Sequence, residues 1–119
     1  MATTISTLLK GQKGEKMALR YLKRKGYRLR EKNYRKGHHE IDLIMEDKTG
    51  AVVFVEVKAR SRTDYGLPRE AVTASKQRYL RLAAQYYLTE NQLWDRFCRF
   101  DVVEVYLADN HIEHIVNAF

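Results

Sequence analysis

Val53-Phe54-Val55-Glu56-Val57-Lys58-Ala59-Arg60 reads VFVEVKAR, a β-branched and aromatic run that carries an acid and a base two positions apart. Side chains alternate along a strand, so Val52, Phe54, Glu56 and Lys58 share one side and Val53, Val55, Val57 and Ala59 the other. Both faces are expected to be at least half buried. Ionised side chains are seldom placed on so apolar a strand without a role.

The flanks turn this strand into a fold. Tyr27 to Tyr34 and Glu40 to Met45 read as two earlier strands, and Asp47-Lys48-Thr49-Gly50 as the turn into the third. From about Ser6 to Lys25, apolar residues at Leu8, Leu9, Ala18, Leu19, Tyr21 and Leu22 predict an amphipathic helix, closed by Gly26 at its C-cap. Its opposite face is basic, with Lys13, Lys16, Arg20, Lys23 and Arg24. After a polar loop, Ser61 to Gly66, Pro68 is expected to open a second helix running to about Leu88, with Val72, Tyr79, Leu80, Ala83 and Tyr87 buried. Arg99 to Leu107 and Asn110 to Val116 complete the order α, three strands, α, two strands. That order predicts one α/β domain over residues 1–119, a mixed central sheet flanked by helices.

Composition narrows the function classes. The chain has 119 residues, 45% hydrophobic and 31% charged, which suits one folded domain rather than a disordered segment. Its 22 Lys and Arg against 15 Asp and Glu give a net charge of +7, a field that favours polyanions, nucleic acid first. No apolar run is long enough to span a bilayer, and MATTISTLLKGQKG lacks a signal peptide's apolar core, so a cytoplasmic location without membrane partners is expected. A lone Cys98 excludes an intrachain disulfide and a multi-cysteine zinc site, and is read as a small core residue.

The hairpin register brings the charges together. If Lys48-Thr49-Gly50 is a three-residue loop with Gly50 left-handed, Asp47 pairs with Ala51, Asp42 falls opposite Glu56, and Glu40 opposite Lys58. Opposed like charges on one face are destabilising, so Asp42 against Glu56 calls for a cation. Lys58 supplies part of it. Two converging carboxylates are also what Mg²⁺ (or Mn²⁺) accepts, with the Val57 backbone carbonyl close enough to join Asp42 and Glu56 as a ligand. Lys58 would then orient or deprotonate an attacking water, which makes Asp42, Glu56 and Lys58 the candidate catalytic residues. The plainer alternative is a Glu/Lys pair on a solvated face with Asp42 at a strand end.

Glu15 falls on the packing face of the first helix, aimed at the same cluster or simply stabilised by the helix dipole. Lys76 lies in the apolar stripe of the second helix, reaching a phosphate or snorkelling to solvent. Arg35, Lys36, Arg60, Arg62 and Arg69, with Lys32, are candidates to grip phosphates beside the cleft, and Tyr34 and Tyr65 to stack on an unpaired base. His38 and His39 diverge on a strand and His111 and His114 are distant, so no histidine metal site is expected. Asp101 is read as structural, and Gly11 and Gly14 lack the context of a phosphate cradle.

GEKMALRYLKRKGY, NYRKGHHEIDLI, VVFVEVKAR, EAVTASKQRYLRLAAQYYL, RFDVVEV and HIVNAF, in that order and over nearly the whole chain, resemble the YraN-like family of the PD-(D/E)XK nuclease superfamily. The resemblance implies a restriction-endonuclease-like αβββαβ core, similar to archaeal Holliday-junction resolvases, and two-carboxylate Mg²⁺ hydrolysis of DNA phosphodiesters, with branched or damaged DNA as substrate. By position, Asp42 corresponds to the metal-binding aspartate, Glu56 and Lys58 to the acid-x-lysine pair, and Glu15 to a first-helix glutamate. Glu40 matches the glutamate of GEIDLI, a further ligand or a partner for Lys58. Ile41 replaces the proline of the superfamily name, and His39 a glycine, which puts a bulky side chain beside the site. Resolvases cut as dimers; no interface for a homodimer is marked in this sequence. The rival expectation is a non-catalytic nucleic-acid-binding module that retains the nuclease fold, and a third is a protein-interaction adaptor.

Overall fold

A computed structural model describes residues 5–61 and 72–119. They form α1 (Ile5–Arg24), β1 (Arg28–Lys36), β2 (His39–Glu46), β3 (Val52–Arg60), α2 (Ala74–Glu90), β4 (Cys98–Tyr106) and β5 (His111–Ile115), the expected order. The strands lie side by side in sequence order; β3 and β4 run parallel and the other neighbours antiparallel. A parallel neighbour needs a crossover, and α2 is part of it. The sheet is therefore mixed, as the alternation of elements predicts.

Two apolar clusters hold the helices to opposite faces. Ala18 and Leu22 of α1 pack with Leu43, Met45, Val53, Val55, Val103 and Val105. Leu80, Ala83, Ala84 and Tyr87 of α2 pack with Ile41, Ile44, Val52, Phe54 and Phe100. Val52 to Val55 are buried and Glu56 to Arg60 half-buried, so the apolar strand opens toward its charged end. Gly14 is what lets α1 lie so close: a Cβ there would stand 2.9 Å from the Ala59 Cβ.

The β2–β3 turn sets the register. Gly50 has φ +91°, which a residue with a Cβ adopts only at a cost. The Asp47 N–H donates to the Ala51 carbonyl at 3.0 Å, and the Asp47 carboxylate accepts from the Thr49 and Ala51 N–H groups. From there Glu46 pairs with Val52, Met45 with Val53, Ile44 with Phe54 and Leu43 with Val55, the expected register.

Several expectations need correction. The second helix begins at Ala74, not in the region of Pro68, because the Thr73 side chain caps it by accepting from the Lys76 N–H at 3.1 Å. Pro68 itself lies outside the described residues. Tyr79 is 49% exposed rather than buried, since the packed face of α2 runs through Leu80, Ala83, Ala84 and Tyr87. Leu8 and Leu9 are exposed as well: Gly14 already meets Ala59, next to the end of β3, so the helix before it has run past the strand. Cys98 is exposed at the first position of β4, not a core residue.

Asp101 is structural, as expected. It is fully buried on β4 and accepts from Arg99 Nε at 3.0 Å and from the Asn117 N–H at 2.9 Å, while His114 Nε2 lies 2.7 Å away. Burial would raise its carboxyl, but these bonds outweigh burial and hold it below the usual carboxylate range. The cluster ties β5 and the chain after it to the sheet. No described helix is long and apolar enough to cross a membrane.

Candidate functional site

The site begins where the hairpin ladder stops. Beyond Leu43 and Val55, β2 stays paired with β1 as far as His39, and β3 stays paired with β4 as far as Arg60. The sheet thus opens as a V between β2 and β3, with Asp42 and Glu56 the first residues past the last rung. Ile41 packs against α2, whereas Leu43, two residues on, packs against α1. Strict alternation would put both on one face. The strand therefore rolls over at Asp42, which carries its carboxylate into the plane of the sheet.

That carboxylate accepts the Val57 N–H at 2.8 Å, taking the place of the missing ladder bond. Both main-chain groups of a strand residue point to one side, so the Val57 carbonyl opens onto the same gap. The fork reaches β1 as well. Asn33 has φ 51°, a left-handed conformation that asparagine tolerates, and its side chain acts to lower the Glu15 carboxyl against the effect of burial. The pattern of apolar residues in β1 gave no sign of this; an asparagine inside a strand was the only available signal.

The acids crowd one another. Burial first, and then the charge of Glu56, push the Asp42 carboxyl up to about 7, against the lowering effect of the Val57 hydrogen bond. Among the described residues Glu56 Oε2 is buried with no hydrogen-bond partner, and the cation that pairs with it, Lys76 Nζ at the start of α2, stands 3.8 Å off. Glu15 of α1 reaches the same region, its carboxyl raised by burial and then by the charges of Asp42 and Glu40. Among the described residues, no three His, Cys, Asp or Glu side chains form a ready cage for a metal.

The remaining candidates divide. Glu40, expected opposite Lys58, instead pairs with Arg35 at 2.7 Å. Lys58 is half-buried and engages no described acid in an ion pair. Lys36 pairs with Glu90 at 2.9 Å. Arg60 stands 3.1 Å from the buried Glu104, so its guanidinium neutralises a core acid. Arg62, Tyr65 and Arg69 lie outside the described residues. His39, whose bulk stood out in the sequence, lies flat on Tyr79 of α2, ring centroids 4.6 Å apart and planes 18° from parallel. It is stacked at the rim of the fork, one helical turn beyond Lys76.

A profile of the uncharacterised protein family UPF0102 matches residues 14–105. The chain is similar to a UPF0102 protein of Clostridioides difficile (strain 630), 47% identical over 112 residues that cover 92% of this chain and 96% of the relative. It is 43% identical to one from Trichlorobacter lovleyi, covering 92% and 88%, and 40% identical to one from Persephonella marina, covering 93% of each.

Proposed function

We propose that this chain, which belongs to the uncharacterised protein family UPF0102, is a metal-dependent nuclease of the PD-(D/E)XK type that hydrolyses phosphodiester bonds in DNA, branched or damaged DNA by analogy of fold. The observation that carries the reading is the fork itself. Two carboxylates, Asp42 and Glu56, are desolvated side by side with one oxygen unpartnered, an arrangement that costs the fold stability unless a cation enters.

Mg²⁺ or Mn²⁺ fits these donors, since Asp42, Glu56 and the Val57 carbonyl are all hard oxygens and leave positions for water and phosphate. When bound, such an ion would polarise the phosphodiester and acidify an attacking water. The chain's own residues have distinct tasks. The Val57 N–H holds the Asp42 carboxylate in the plane of the fork. Lys58, two residues beyond Glu56 on the same strand, directs an ammonium at the same end of the sheet and orients the nucleophile or a phosphate oxygen. Lys76 balances charge beside Glu56, and Glu15 adds a carboxylate that can hold a proton or a water at the rim.

A second reading, a nucleic-acid-binding module without catalysis, draws on the His39–Tyr79 stack, which crowds the rim of the fork. Calorimetric titration with Mg²⁺ and Mn²⁺ separates the two. The nuclease reading expects one site that disappears in Asp42→Asn; no detectable site in the wild type would favour the module.

A further inference from the structure

The basic face of α1 takes no part in the fork. Lys13, Lys16, Arg20 and Arg24 line a groove of about 690 Å³ together with Met17, Tyr21 and the Asn110-His111-Ile112 segment at the start of β5. All four cations are exposed, none engages an acid in an ion pair among the described residues, and no acid lines the groove. Cations spaced three and four residues apart on one helix face repel each other, so this stripe gives nothing back to the fold. At 3.6 residues per turn, Lys13, Met17, Arg20 and Arg24 centre on the side of α1 opposite Glu15. The groove and the fork are therefore two surfaces separated by one helix.

We propose that this groove binds the phosphate backbone of a nucleic-acid arm that lies outside the fork. The proposal rests on nucleic acid being the partner in the function proposed above, and adds a second contact to it. Lys13 to Arg24 covers about 16 Å of helix, the axial rise of roughly four to five phosphates of one B-form strand. A concave wall with four cations and no acid suits a continuous line of phosphates. A substrate held at both surfaces must have a backbone on either side of α1, as a branched or sharply bent molecule does.

The test reads binding, not cleavage. Fluorescence anisotropy of the full chain with a labelled duplex of about twenty base pairs is followed in EDTA across a salt series. Arg20→Gln/Arg24→Gln is compared with the charge-matched Arg28→Gln/Lys48→Gln at the far end of the sheet. The groove variant should lose about tenfold in affinity at moderate salt and flatten the slope of log K against log salt by about two, while the control stays near the wild type. Equal losses in both variants, no loss in the groove variant, or no duplex binding by the wild type would each overturn the proposal. So would vesicles of phosphatidylserine that bind through Arg20 and Arg24 while duplex binding is untouched. If the groove behaves as expected but no metal-dependent cleavage exists, the nuclease reading falls and the groove stands.

Discussion

At the scale of single residues, Asp42 is where function and stability pull apart. Its carboxyl is raised by burial and by Glu56 to about 7, so the stabilising protonated form is fully present below the ordinary aspartate value and is lost as pH rises through about 7. Asp42→Asn keeps an oxygen for the Val57 N–H and offers an N–H to the unpartnered Glu56 Oε2. In the metal-free protein it should therefore raise stability by about 1 kcal/mol at pH 8 and change little near pH 4, as read by urea unfolding. An equal effect at both pH values would contradict the like-charge account. The pair was legible in the sequence because period-two alternation and one turn glycine fix which residues face each other. The in-plane aim of Asp42 was not, because it depends on a roll of the strand that alternation assumes away.

At the scale of elements, α1 and β3 meet through a contact that leaves no motif. Gly14 could be set aside in the sequence as lacking a phosphate-binding context, yet it admits Ala59 and thereby positions Glu15, its neighbour, at the rim of the fork. Gly14→Val should cost about 2 kcal/mol by overpacking, and it should lower metal affinity more than a surface substitution of equal cost would. Calorimetry beside urea unfolding separates these effects, and unchanged stability would show that the helix can shift freely. The start of α2 follows the same logic. Pro68 offered a helix-opening signal, but Thr73, with its side chain on the Lys76 N–H, sets the first turn. Thr73→Ala should destabilise by about 1 kcal/mol in the same urea measurement, and no change would deny the cap.

At the scale of the whole molecule, one sheet with an apolar helix packing on each face was readable from element order, whereas exposure at the ends was not. Leu8, Leu9 and Tyr79 keep helical spacing but lie outside the packed helix faces, and spacing alone does not say where packing stops. The pH response should show the same balance of local sites. Burial opposes it, but hydrogen bonds from Thr49, then Arg99, hold the Asp47 carboxyl down at about 2. Its stabilisation is present above the ordinary aspartate value and lost as pH falls through about 2, while that of Asp42 is lost as pH rises through about 7. Metal-free protein should accordingly be most stable between about pH 4 and 6, and a divalent ion should extend that range upward; a maximum at pH 8 without metal would contradict the assignment of the fork.

Asp42, Glu56 and Lys58 are proposed as a hydrolytic centre. The most direct measurement incubates labelled four-way junction, duplex and single-stranded DNA with the purified protein in Mn²⁺, Mg²⁺ or EDTA, beside Glu56→Ala. A hydrolytic centre of this kind should cut only with the metal and lose cutting in Glu56→Ala, while that variant's DNA binding stays intact. Binding without cutting of any of the three substrates, or cutting that survives Glu56→Ala, would contradict it.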